Sequence, residues 1–153
     1  MKRATQPNYR DREQSERPKI FSPMPTPNPP PRAAQDLVVL TKAYDLVRDL
    51  TERVNGYPRS HRFVLGDRTL DTAYTVLDLL LEAKYQRDKA ALLERANLLL
   101  ERLRFQIRLA HDTRLIQAPA LGVLARQVDE VGRLVGGWLR QARTAGRAAG
   151  RPA

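Results

Sequence analysis

The sequence predicts an all-α protein: an antiparallel up-down-up-down four-helix bundle with disordered N-terminal and C-terminal tails. Apolar residues recur at three- and four-residue spacing in four successive segments, which is the period of one helix face. The connections between these segments are short, so consecutive helices are expected to run antiparallel. Eight of the eleven prolines lie in residues 1–35, and the chain ends in a run of cations without acids. We therefore predict a disordered Pro-rich basic tail over residues 1–35, a bundle over residues 36–141 and a disordered basic tail over residues 142–153.

The first helix is predicted to run from Asp36 to Asn55. Asn55 and Gly56 can end it in a left-handed conformation, and Pro58 prevents it from resuming. A helix of this length presents one apolar stripe to the core. The stripe consists of Leu40, Ala43, Tyr44, Val47, Leu50 and Val54.

The second and third helices are predicted on either side of a turn near Arg87 and Asp88. Asp67 or Thr69 can cap the start of the second helix, and Asp88 can cap the start of the third. The alternative is one helix over residues 70–115, but at about 1.5 Å per residue it would be about 70 Å long, against about 30 Å for the first helix. We therefore favour two helices. Their stripes are Leu70, Ala73, Val76, Leu77, Leu79, Leu80, Ala83 and Lys84 on the second, and Leu92, Ala96, Leu99, Leu103, Ile107 and Ala110 on the third.

The fourth helix is predicted to begin after Pro119, because proline suits the first turn of a helix. Inside it, Gly132, Gly136 and Gly137 predict a close approach to another helix, either within the bundle or between subunits. Its stripe has near-heptad spacing. The stripe residues are Leu121, Leu124, Val128, Val131, Val135 and Trp138.

Positive charge is concentrated at the two ends of the chain. There are 27 Lys and Arg against 17 Asp and Glu, a net charge of +10. Residues 1–35 carry +4, residues 36–138 carry +2 and residues 139–153 carry +4. Basic extensions attract polyanions, above all RNA or DNA. A solubilising role for the tails is the alternative interpretation.

The connection between the first two helices is a candidate anion-binding surface. It places Arg59, His61 and Arg62 on a turn that Gly56 and Pro58 punctuate. In the alternative interpretation, apolar side chains plug this end of the bundle and the basic residues only keep the turn solvated. Those apolar side chains are Tyr57, Phe63 and Leu65.

Arginines also recur along the last two predicted helices. Arg126, Arg133 and Arg140 are seven residues apart and therefore form a line along one face of the fourth helix. Such a line suits phosphate contacts, because the planar guanidinium is a bidentate donor. The alternative is a solvated face held by ion pairs within the helix. Those pairs would be Arg126 with Glu130, Asp129 with Arg133, and Glu94 or Glu101 with nearby arginines. On the third helix, Arg95 and Arg102 recur at the same spacing, and Arg104 and Arg108 form a neighbouring pair.

No catalytic, cofactor or metal site is recognisable, so the chain is not expected to be an enzyme. His61 and His111 lack nucleophile or acid partners at a recognisable spacing. The sequence has no cysteine, no glycine-rich phosphate loop and no Glu-x-x-His pair. No apolar run is long enough to cross a bilayer or to form a signal peptide, so we expect a soluble cytoplasmic protein without membrane association.

Three segments carry a resemblance to a known family: YDLVRDLTERVNGYPRSHRFVLGDR (Tyr44–Arg68), LLLERLRFQIRLAHDTRLI (Leu98–Ile116) and VDEVGRLVGGWLR (Val128–Arg140). From about Leu37 to Arg140 the chain resembles the accessory variability determinant proteins of bacterial diversity-generating retroelements. These proteins are a branch of the four-helix-bundle family that also occurs in intervening sequences of 23S ribosomal RNA genes. The loop before the last helix and both tails depart from the family pattern, so partner contacts made there do not transfer.

The resemblance implies a homopentamer of four-helix bundles with a basic surface. It also implies association with the retroelement reverse transcriptase and with template RNA or cDNA, in support of adenine-mutagenic cDNA synthesis. The predicted nucleic-acid or partner contacts are the basic residues of the matching motifs and the line of arginines on the fourth helix. The resemblance does not assign each of them to RNA or to the polymerase. The predicted contacts are Arg59, Arg62, Arg68, Arg104, Arg108, Arg114, Arg126, Arg133 and Arg140.

A non-catalytic helical scaffold for protein–protein interaction is the competing hypothesis. Binding to phosphates weakens steeply as salt rises, whereas apolar packing between helices does not. The salt dependence of binding therefore separates the two functions.

Overall fold

The computed structural model describes residues 32–150, and this part of the chain contains five α-helices, one short π-helical segment and no β-strand. The two shortest elements lead directly into the second long helix, so four long helices dominate the fold. The elements are α1 (Arg32–Asn55), α2 (Arg59–His61), the π-helical segment (Arg62–Gly66), α3 (Asp67–Tyr85), α4 (Ala90–Asp112) and α5 (Ala118–Ala149).

The four long helices form the predicted antiparallel bundle. Consecutive long helices pack against each other, and α5 closes the ring against α1. Along α1 and α5 the contacts run in opposite chain directions: Gln127 donates to Asp49 at 2.6 Å, whereas Gln141, further along α5, donates to Gln35 near the start of α1 at 3.3 Å. The same reversal holds between α4 and α5, in the ion pairs Arg104–Asp129 and Glu94–Arg143. The up-down-up-down topology is therefore confirmed.

Most of the predicted apolar stripes line the core, and the errors lie at their edges. The prediction that Tyr44 faces the core is wrong, because 58% of this residue is exposed. Each helix meets two neighbours, so its buried arc is wider than one stripe and is centred between them. Six predicted stripe residues are only half-buried: Leu40, Leu70, Leu77, Lys84, Leu92 and Leu121. Buried residues that the stripes omitted are Val39, Leu46, Thr69, Thr72, Leu93, Leu100 and Leu139.

Two predicted boundaries need correction. α1 begins at Arg32, four residues before Asp36. α5 continues to Ala149, so the disordered tail predicted from residue 142 is wrong for residues 142–149. These residues are rich in alanine and arginine, which are among the strongest helix formers. The predictions for residues 1–31 and 151–153 lie outside the described residues.

The first turn of the bundle differs from the predicted one. No described glycine has a positive φ, so the left-handed ending at Asn55–Gly56 is wrong. Instead, the amides of Gly56 and Tyr57 donate to carbonyls three residues earlier, at 3.0 Å each. The helix resumes at Arg59, and the predicted cap Thr69 donates its hydroxyl to the Leu65 carbonyl at 2.7 Å from inside the helix. Asp67 likewise follows a helical residue and caps nothing.

The π-helical segment lies at the end of the core where α1 connects to α3. Tyr57 is buried, Leu65 is half-buried and Phe63 is 61% exposed, so only two of the three predicted plug residues enter the bundle. Gly66 lies so close to Val54 that an added Cβ would be 2.6 Å from Val54 Cγ1. At this end of the bundle, the backbone at Gly66 therefore packs directly against the Val54 side chain of α1.

The break between the second and third long helices is confirmed. Residues 86–89 connect α3 to α4, but no side chain caps the start of α4, so the predicted role of Asp88 is wrong. Lys89 precedes the helix instead, and its Nζ lies 5.2 Å from the centre of the Trp138 ring. A cation–π contact thus ties the turn to α5.

Candidate nucleic-acid interface

The arginines of α5 lie on the side of the helix that faces away from the core. The buried side of α5 consists of Leu124, Val128, Val131, Val135, Trp138 and Leu139. At 3.6 residues per turn, the seven-residue repeat of Arg126, Arg133, Arg140 and Arg147 falls on the opposite side, with about 10.5 Å between successive residues. All four are exposed. We call these four residues the arginine row.

Sequence reasoning placed three members of this row and missed Arg147. The reason is that residues 142–153 were assigned to a disordered tail. The seven-residue repeat continuing beyond Arg140 was the signal that could have revealed the fourth member. Arg147 lies in the last turn of α5, where the helix dipole stabilises a cation.

Acidic residues of α5 are engaged by other helices, which leaves the arginine row without carboxylate partners among residues 32–150. Asp129 accepts from Arg104 of α4 at 2.9 Å, and Glu130 pairs with Lys42 of α1 at 3.3 Å. The alternative interpretation is therefore wrong in pairing these acids with Arg126 and Arg133, whereas its pairing of Glu101 with a nearby arginine, Arg104, is confirmed. From residue 131 to residue 150 the helix carries four arginines and no acid. The local field on this face is strongly positive.

Of the three α5 glycines for which a close approach was predicted, only one is approached by another helix. An added Cβ at Gly132 would lie 3.3 Å from Arg104 Nη2, so α4 does come close there. At Gly136 no atom lies within 4 Å, and at Gly137 the nearest is Arg140 Nη2 at 3.8 Å. The predicted close approach within the bundle therefore holds for Gly132 alone. The other two glycines add no side chain to the surface of α5 between Arg133 and Arg140.

Arg104 serves as a clamp between α4 and α5. Its Nε donates to Asp129 Oδ1 at 3.0 Å, and its Nη1 donates to Glu101. Burial lowers the pKa of this guanidinium, but the hydrogen bonds to Glu101 and Asp129 outweigh burial and raise the pKa above its ordinary value. All three nitrogens of this guanidinium thus lie within ion-pair distance of carboxylates.

Arg62 is likewise engaged within the chain. Its Nη2 donates to the carbonyls of Asn55 at 2.6 Å and Tyr57 at 3.3 Å, which satisfies groups at the end of α1. The neighbouring Arg59 is exposed, as is Arg68, whose carbonyl accepts from Gln106 of α4 at 3.3 Å. The basic turn therefore lies on α2 and the π-helical segment, whereas the arginine row lies on α5.

The remaining predicted contacts lie near the end of α4. Arg108 is exposed, 3.8 Å from Asp112, and lines a groove between α4 and α5 together with Arg104. Arg114 has a φ of 62°, and the following amide of Leu115 donates to the Ala110 carbonyl at 2.8 Å. A left-handed arginine costs about 1–2 kcal/mol, and glycine usually occupies this position. The nine predicted arginines thus do not form a single patch: three lie on the arginine row, two line the groove, two lie on the basic turn, and the other two lie on α3 and in the turn after α4.

The comparisons with known proteins agree with this architecture. A model of the family described as bAvd-like matches residues 37–142, which span the four long helices. None of the curated proteins compared with the chain matches it. Between residues 32 and 150 no helix is long and apolar enough to cross a membrane.

Proposed function

Because the chain belongs to the bAvd-like family, we propose that it is a non-catalytic accessory subunit of a diversity-generating retroelement, and that it binds nucleic acid through the arginine row. Its proposed partners are the retroelement reverse transcriptase and the template RNA or cDNA, in the bacterial cytoplasm. The subunit would support mutagenic cDNA synthesis by holding nucleic acid beside the polymerase. The observation that carries the proposal is the exposed arginine row, with no acidic partner among residues 32–150.

The geometry of the row suits a phosphate backbone better than a single anion. Its guanidinium groups are spaced about 10.5 Å apart along one rigid helix, close to the Debye length of about 10 Å at 0.1 M salt. Each can therefore attract a different phosphate. The open surface at Gly136 lets a nucleic-acid backbone approach the helix closely.

Changing Arg126, Arg133 and Arg140 together to glutamine is expected to weaken RNA binding and to flatten its salt dependence. Each phosphate contact contributes about 0.7 to the slope of log K against log salt for a single strand, so three contacts contribute about two per protomer engaged. Fluorescence anisotropy with a labelled single-stranded RNA, measured over a series of salt concentrations, gives this slope. Circular dichroism checks that helicity is retained.

A matched control separates the arginine row from net charge. Changing Arg48, Lys84 and Arg87 to glutamine removes an equal number of charges from α1, α3 and the connection that follows α3. We expect this variant to keep nearly the slope of the unchanged protein. If the α5 variant binds RNA with unaltered affinity and slope, the arginine row is not the nucleic-acid site, and the scaffold function is favoured.

The proposed function includes a homopentamer. Mass photometry or sedimentation of the full chain is expected to give a species of five copies of the 17.4 kDa protomer. Such an assembly would multiply the arginine rows presented to one RNA and raise avidity through effective concentration. A clean monomer at micromolar concentration would contradict this part of the proposal.

A further inference from the structure

Two neighbouring helices, α3 and α4, each expose apolar side chains to solvent, and the charges beside these side chains are opposite in sign. On α3, Tyr74 and Leu81 are 47% and 48% exposed; on α4, Leu98 and Phe105 are 64% and 72% exposed. Exposed apolar side chains grouped in this way mark an interaction surface. We define the α3 face as Asp71, Tyr74, Asp78 and Leu81, and the α4 face as Arg95, Leu98, Arg102, Phe105 and Leu109.

The charged residues of the two faces are complementary and have no ion-pair partner in the described part of the chain. Asp71 and Asp78 make the α3 face acidic, and both are exposed. Arg95 and Arg102 make the α4 face basic, and both are exposed. Within one protomer the two faces point outward from adjacent helices and do not meet. A second copy of the chain offers each face the opposite charges that it lacks.

The opposite charges of the two faces also lie at matching heights along the axis of the bundle. Gln106 Nε2 donates to the Arg68 carbonyl, so residues 68 and 106 lie level on the antiparallel helices α3 and α4. Each step forward along α3 then corresponds to one step back along α4. Asp71 lies level with Arg102, and Asp78 with Arg95, within about one residue or 1.5 Å.

A second copy that is rotated about an axis parallel to the bundle keeps these heights. We propose that the α3 face of one protomer docks on the α4 face of the next. This inference rests on the homo-oligomer of the proposed function and assigns its interface. Asp71 then pairs with Arg102 of the partner subunit, and Asp78 with Arg95 of the partner subunit. The aromatic and aliphatic side chains pack between these two charge pairs.

The contact is heterologous, and repeating it about an axis parallel to the bundle forms a closed ring when the rotation per copy divides a full turn. Because α3 and α4 occupy adjacent corners of the bundle, their outer faces are turned by about 90° from each other, and a repeated contact closes after about four or five copies. The side of the bundle between α3 and α4 faces the ring axis. The opposite side, formed by α1 and α5, faces outward and presents one arginine row per copy.

Charge reversal tests the interface in the full-length chain. The variant Asp71→Arg/Asp78→Arg places like charges opposite the α4 face, and Arg95→Asp/Arg102→Asp does the same opposite the α3 face. Each double variant is expected to weaken assembly about tenfold or more, since like charges in contact oppose docking. The quadruple variant restores opposite charges and is expected to assemble again. Mass photometry over a concentration series measures all four proteins.

The controls separate loss of the interface from loss of the fold. Glu52→Arg/Asp88→Arg makes an equal change of charge at exposed positions outside both faces and is expected to leave assembly intact. Circular dichroism reports helicity for each variant. A folded quadruple variant that stays dissociated would overturn the proposal.

The remaining outcomes distinguish this inference from the proposed function. If the unchanged protein is oligomeric and both double variants remain so, the homo-oligomer stands, but the two faces bind something other than a second copy and the interface is wrong. If the unchanged protein is a monomer, the homo-oligomer and the interface both fail. The salt slope of RNA binding, measured on the same samples, reports on the arginine row independently.

Discussion

Replacing Trp138 with alanine is expected to lower the free energy of unfolding by about 3–5 kcal/mol, the usual cost of truncating a large aromatic residue in a core. Only 7% of Trp138 is exposed, and it lies on the buried side of α5. The change removes apolar burial, leaves a cavity, and abolishes the contact between the indole ring and Lys89. Urea denaturation followed by circular dichroism measures the effect.

An exposed aromatic residue provides the control for Trp138. Tyr85 is 78% exposed, so its replacement by alanine is expected to change stability by no more than about 0.5 kcal/mol. If the two variants unfolded at the same urea concentration, Trp138 would not be a packing residue.

Replacing Gly66 with alanine is expected to destabilise the bundle by about 1–3 kcal/mol, the range for overpacking a close contact. The new Cβ would lie 2.6 Å from Val54 Cγ1. Val54 is almost completely buried and is β-branched, so it has little freedom to move aside. The same denaturation experiment measures the loss.

Two comparisons identify the clash as the cause. Gly136→Ala is expected to change stability in the opposite direction, by up to about 1 kcal/mol, because alanine favours the helix and no atom lies within 4 Å of its Cβ. In a double-mutant cycle, Gly66→Ala should cost less when Val54 is already alanine. Equal costs in both backgrounds would show that the Val54 contact does not cause the loss.

The helical period accounts for most of what could be predicted about the fold. Residues of one helix face recur every three or four positions whatever the rest of the chain does, so the stripes of Val47, Leu80, Leu103 and Val131 were visible from the sequence. The edges of each stripe were not. Tyr44 lies beside Ala43 on the helix, yet one is exposed and the other is buried, because the positions of the neighbouring helices decide where the core ends.

Helix ends were the least predictable local feature. Asn55 and Gly56 favour a left-handed ending, but the chain instead turns through short-range hydrogen bonds and re-enters a helix at Arg59. Packing of Tyr57 and Gly66 at the end of the core overrides that local preference. Between residues 32 and 150, the residue that does adopt the left-handed conformation is Arg114, which local propensity disfavours.

For the candidate site, the sequence by itself determined where the arginines of α5 lie. Residues seven apart on a helix must share a face, so Arg126, Arg133 and Arg140 form a line wherever the helix packs. Only the tertiary structure decided their charge environment. Asp129 and Glu130 can reach arginines on their own helix or cations on a neighbouring one, and the packing of α1 and α4 against α5 brings Lys42 and Arg104 into reach. Helical geometry is local, whereas the choice of an ion-pair partner depends on which helices are adjacent.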